Sequence, residues 1–135
     1  FLMLATSALA VGCSDGPARY PVAGRVTLDG KPLSHAAVVF EPVDQTGLSA
    51  IAEVVDGRFE MSAASGPTAG KFHVRFNPAA MEDDEFNSLM QQGKKPSPFK
   101  VKIAEEFRKP GKLEAEVKSS GANEYSFAIS SKPSR

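Results

Sequence analysis

Apolar and polar residues alternate with a period of two along most of this chain, and short turn signals interrupt the alternation repeatedly. Val22, Gly24, Val26 and Leu28 fall on one face of an extended segment, with Arg25, Thr27 and Asp29 on the other. Asp29-Gly30 followed by Lys31-Pro32 reads as a turn, because glycine supplies positive φ and proline fixes the next φ. The same pattern predicts strands over Ala36–Val43, with Val38 and Phe40 on one side, and over about Ser49–Val55. Asp56-Gly57 is a second hairpin signal, and Arg58–Ser62 continues beyond it. Lys71–Phe76, Lys112–Lys118 and Glu124–Ser130 alternate without a fault, and Lys100–Ile103 is a shorter candidate. Seven or eight short strands at hairpin spacing predict an all-β sandwich. Strands with one polar face are unsuited to a parallel sheet covered on both sides.

One stretch breaks the alternation. Asn77–Phe99 carries no strand signal, and Met81–Gly93 reads as one short helix in a long loop. Acids Glu82, Asp83, Asp84 and Glu85 sit in its first turn, Gly93 ends it, and Lys94-Lys95 follow at the negative end of its dipole. Phe86, Leu89 and Met90 fall at i, i+3 and i+4, one apolar stripe, which makes them the candidate binding residues of the chain. Long excursions from a rigid scaffold are where binding tends to be carried.

The first twelve residues are uncharged and mostly apolar, and they stop at Cys13-Ser14-Asp15-Gly16-Pro17. Twelve residues are too few to cross a bilayer as a helix, which needs about 20. The length fits the hydrophobic region of a signal peptide, with small residues at its end. Without an initiator Met or a positive leader, the chain is expected to begin inside that signal. Leu9-Ala10-Val11-Gly12-Cys13 resembles the lipobox of bacterial lipoproteins, with Ala10 where leucine is usual. The resemblance implies a diacylglycerol on Cys13, whose buried methylenes contribute about 0.8 kcal/mol each. Plain secretion, or a cytosolic chain with an N-terminal strand, are the other readings of this segment. The expected organisation is therefore signal peptide 1–12, lipidated tether 13–19, sandwich 20–131 and tail 132–135.

Charge narrows the partners. Lys and Arg number 16 and Asp and Glu 16, with none of them before Cys13, so the body is formally neutral and lacks the field that holds nucleic acid. His35 and His73 are the only histidines and read as surface residues. They are too few for a zinc site, and no serine has the context of an activated nucleophile. The acids at 82–85 lack the alternating ligands and the glycine of a calcium loop. No catalytic residue, metal or cofactor is expected.

Gly24–Leu33 followed by Ala36–Phe40 resembles the carboxypeptidase-regulatory-like (transthyretin-like) domain, and Asp56–Phe59 and Gly70–Val74 resemble its second and third blocks. The likeness spans Pro21–Phe76. The remainder is similar to small lipoproteins of planctomycete-type bacteria. Ile103-Ala104-Glu105-Glu106-Phe107 stands where these carry an Ile-Pro-x-Lys-Tyr block, while Leu113–Lys118 and Asn123 fit. His35 and Ala36 stand where the family's turn often has Pro or Ala followed by Gly.

This resemblance implies a seven-stranded Ig-like or prealbumin-like sandwich acting as a non-catalytic accessory. The chain is thus expected to be a lipid-anchored cell-envelope module, periplasmic or outer-membrane facing, that is protein-binding or structural. Its expected partners are the membrane, through the lipid, and a protein or glycan. The alternative is a carbohydrate- or peptide-binding domain that uses the 77–99 loop.

Overall fold

Two Asp-Gly turns set the local geometry. In the computed structural model, which describes residues 17–133, Asp29 and Gly30 take φ of 52° and 82°, and Asp56 and Gly57 take 50° and 76°. Positive φ at both central positions makes each a type I′ turn, whose twist suits the strands it joins. The first connects β1 (Val22–Leu28) to β2 (Lys31–Pro32). The second connects β4 (Ala50–Val54) to β5 (Arg58–Met61), with Val55 and Arg58 exchanging hydrogen bonds of 2.9 and 3.0 Å. The turns lock together, since the Gly57 amide donates to Leu33 at 2.7 Å and the Val26 amide donates to Gly57 at 2.8 Å.

The remaining strands are β3 (Ala36–Pro42), β6 (Gly70–Pro78), β7 (Leu113–Val117) and β8 (Glu124–Ile129). One sheet has the order β4-β3-β6-β7, antiparallel throughout. In the other, β1 pairs β2 and β5 antiparallel and β8 parallel. The fold is an all-β sandwich, as the alternation predicts. Seven of its strands have four or more residues, and the two-residue β2 is added where only a turn was expected.

The sheets meet through an aromatic layer. Phe40 on β3 lies 6.1 Å from Phe59 on β5 and 5.8 Å from Tyr125 on β8, and Phe76 on β6 lies 5.9 Å from Phe127 on β8. Phe40, Phe59, Phe72 and Phe76 are fully buried, each contributing about 1.5–3 kcal/mol of transfer free energy. Gly24 makes room for this layer. It is paired between Phe59 and Tyr125, and a Cβ there would lie 2.5 Å from the Phe59 ring and 2.7 Å from the Tyr125 carbonyl oxygen.

Four expectations are corrected by the structure. Lys100–Ile103 is not a strand, for it forms no ladder; Ile103 and Ala104 are buried in extended coil, and the Ala104 amide donates to Ser130 at 3.0 Å. A short helix follows that the periodicity did not indicate, α2 (Glu105–Arg108), the second after α1 (Asp83–Gln91), with Phe107 buried. Asn77 and Pro78 belong to β6, so the excursion starts later than expected. Pairing also begins early, since Arg19 bridges Thr68 and its guanidinium donates to the Gly66 carbonyl at 3.1 Å.

Overpacking a filled core costs about 1–3 kcal/mol. Gly24→Ala is therefore expected to lower the thermal midpoint by that equivalent, measured by circular dichroism melting, whereas Gly121→Ala, where a Cβ meets open space, strains only the turn.

Candidate functional site

The excursion is closed at its neck by backbone pairing. Ala80 bridges Phe99, the Met81 amide donates to Pro98 at 2.8 Å and the Lys100 amide to Ala79 at 2.9 Å. Lys100 Nζ adds a contact of 3.6 Å to Glu82. Within the loop, α1 begins after Glu82 and carries Asp83, Asp84 and Glu85 in its first turn, where its dipole favours them. It is shorter at both ends than the Met81–Gly93 expected. Gly93, at φ 77°, donates to Met90 at 3.0 Å while Lys94 donates to Leu89 at 3.1 Å, the paired bonds of a Schellman stop.

Helix α1 buries none of its residues. Phe86 and Leu89 are half-buried and Met90 is 51% exposed, so the predicted stripe is present and Met90 is its open end. Isolated exposed apolar residues are ordinary, and Val43, Ile51 and Val55 are such residues elsewhere. Met90 differs because it extends a stripe.

Behind the neck lies a cleft of about 550 Å³, with Lys95, Pro98, Phe99, Lys102, Arg108 and Ser131 among its lining residues. Its formation follows from the chain path. Val101–Ala104 dives toward the core, α2 packs against β6, and Phe99 is left facing Arg108. The Arg108 guanidinium lies 5.8 Å from the centre of the Phe99 ring, a cation–π contact, and its Nε is shielded from solvent without a hydrogen-bond partner. Glu105 is the carboxylate of this wall, and Lys109 holds it at 2.6 Å. That hydrogen bond, then the charge of Lys109, lowers the Glu105 pKa below its ordinary value. The cleft thus presents Lys95, Lys102 and Arg108 against one neutralised acid.

The far wall is tethered by Asp29. The Ser131 hydroxyl donates to one carboxylate oxygen of Asp29 at 2.5 Å and the Ser131 amide to the other at 3.0 Å. These two bonds, the hydroxyl's first, hold the Asp29 carboxyl below its ordinary value of 3.8.

The other candidates separate. Cys13 and the expected signal segment 1–12 lie outside the described residues. His35 is exposed at the start of β3 with φ 60°, and its carbonyl accepts from Ala79 at 2.8 Å. Six residues along β3, Glu41 pairs with His73, so the histidines stand about 20 Å apart and cannot act together. His73 is half-buried rather than a plain surface residue; its Nδ1 lies 3.7 Å from Glu114, beyond hydrogen-bond reach. Among the described residues no three metal-binding side chains cluster, and no helix is long and apolar enough to cross a membrane. No family model, curated protein or solved structure matches the chain. Sequence reasoning missed Arg108 and Phe99, and the only available signal was the aromatic residue amid the lysines and prolines of 94–100.

A carboxylate whose folded pKa is depressed contributes stability above its unfolded pKa, and that contribution is lost as pH falls through the folded value. The Asp29 tether should therefore be complete above the ordinary carboxylate value of 3.8 and fail on further acidification. Protection of the Ser131 amide, its exchange relative to the unstructured rate at the same pH, is expected to fall in that window in the native chain. In Asp29→Asn it should be low already at neutral pH.

Proposed function

We propose that this chain is a non-catalytic, lipid-anchored module of the bacterial cell envelope that binds an acidic segment of a partner protein in the cleft between the 77–99 excursion and α2. The observation that carries the reading is Arg108. Fixed against the Phe99 ring beside Lys95 and Lys102, its guanidinium favours a carboxylate entering the cleft. Prolines at 96 and 98 and the face of Phe99 add apolar contact for a peptide backbone lying between them. The half-open Phe86, Leu89 and Met90 stripe extends the apolar surface on the same excursion.

Anchoring rests on Cys13, the single cysteine of the chain, at the apolar-to-polar break. The likeness of Gly24–Phe40 to the carboxypeptidase-regulatory-like domain supports an accessory role for the sandwich, although a fold of this kind hosts many functions.

Anchoring and binding are tested separately. Expressed in a bacterial host behind a complete signal peptide, the protein is expected to incorporate labelled palmitate and to sediment with membranes. Cys13→Ala should do neither, and an unchanged membrane fraction in that variant removes the anchor. For the cleft, a fluorescent Asp/Glu-rich peptide should bind the mature domain, and Arg108→Gln should weaken it about tenfold, the equivalent of one hydrogen bond to a charged group. Equal affinity for a neutral oligosaccharide, or no effect of Arg108→Gln, would count against the acidic partner.

A further inference from the structure

The register of the second sheet brings four charged side chains to its outer face in a pattern that no single segment contains. Ala23 on β1 pairs with Glu60 on β5 and with Glu124 on β8, while Arg25 pairs with Arg58 and with Ser126. One row therefore carries two carboxylates flanking a small residue, and the next carries two guanidiniums and a hydroxyl. All four charged residues are exposed, and they line a concavity of about 570 Å³, within the size range of small-molecule sites.

Two features set this face apart from an ordinary solvated one. Like charges directly opposite each other on neighbouring strands are destabilising, yet Arg25 faces Arg58. The charges are also left unused. Among the described residues, Arg25, Arg58, Glu60 and Glu124 enter no ion pair, although each sign lies one row from the other. The outer face of the β4-β3-β6-β7 sheet behaves differently. There Arg75 binds Glu41 at 2.6 Å and donates to Asn77 at 2.5 Å.

We propose that this concavity binds a small zwitterion, its carboxylate held by Arg25, Arg58 and Ser126 and its ammonium by Glu60 and Glu124. Rows of one sheet face are two residues apart, about 6.6–6.8 Å. The two ends of an extended dipeptide are separated by about the same span, so a dipeptide with free termini fits the charge pattern. Two guanidiniums offer a carboxylate paired charge-assisted hydrogen bonds, and the ligand relieves the repulsion between them. Ala23 keeps the middle of the acidic row low, which leaves space for the chain between the two ends.

The test uses alanyl-alanine with free termini, its N-acetyl form and its C-terminal amide, titrated calorimetrically into the purified full chain. The free dipeptide is expected to bind, and loss of either terminal charge to weaken it about tenfold or more. Arg58→Gln should weaken the free dipeptide but not the amide, and Glu60→Gln should weaken it but not the N-acetyl form. Both substituted residues are exposed, and unchanged melting curves confirm the fold. Arg108→Gln should leave this binding intact, so failure here and failure of the acidic-peptide cleft are told apart. Absence of binding, or a capped form that binds as tightly as the free dipeptide, overturns the proposal.

Discussion

The two sheets share one thin aromatic layer, and the geometry of that layer dictates much of the sequence around it. Phe40 touches Phe59 across the sandwich and Phe72 within its own sheet, at 6.1 and 6.2 Å. Rings at such spacings need a gap at the right place. Gly24 is that gap. Because Phe59 occupies the volume above Gly24, β5 is drawn against β1, and the Asp56-Gly57 turn must carry the chain from one sheet to the other within two residues. The interlocked hydrogen bonds of Leu33, Val26 and Gly57 then fix the end of the molecule where both turns lie.

Beyond the aromatic layer, polar closures hold the periphery. Asn123 is buried and spans the β7–β8 connection, accepting from the Lys118 amide at 2.9 Å and donating to the Lys118 carbonyl at 3.0 Å. Asp29 does the same for the segment after β8, through Ser131. The excursion is held by its backbone neck, the Glu82–Lys100 contact, the Ala79 hydrogen bond to His35 and the contact of Phe99 with Arg108. Few buried apolar contacts imply low local stability, so α1 is the element whose opening should be least coupled to global unfolding. A surface built for a partner draws on such elements.

Legibility in the sequence follows the range of the interactions. Strands with one wet face announce themselves through period two, and the Asp-Gly pairs mark type I′ turns because few other residues take positive φ twice. His35 shows the opposite: at φ 60° it occupies a position where the sequence carries no glycine to announce it. Lys100–Ile103 misled because Val101 and Ile103 alternate over too short a span to separate a strand from buried coil. Four-residue α2 is below the length at which helical periodicity can be seen, and its one buried side chain, Phe107, gives no stripe. The parallel β1–β8 pair joins opposite ends of the domain, so neither the rows Glu60–Ala23–Glu124 and Arg58–Arg25–Ser126 nor the contact of Phe99 with Arg108 exists in any local window.

Net charge was the least informative quantity about partners at short range. A formal sum of zero removes the long field that would steer a polyanion, but it is silent on how charges are arranged within a few ångströms. At physiological ionic strength the screening length is about 8 Å. Rows about 6.6–6.8 Å apart on one sheet face lie inside that length, so one ligand feels both. The Asp29 tether of the cleft stands four residues beyond Arg25, about 13 Å along the strand direction and outside that length. A neutral chain can therefore hold a basic cleft and a split-charge concavity at once, because a formal sum of zero does not fix where its charges lie.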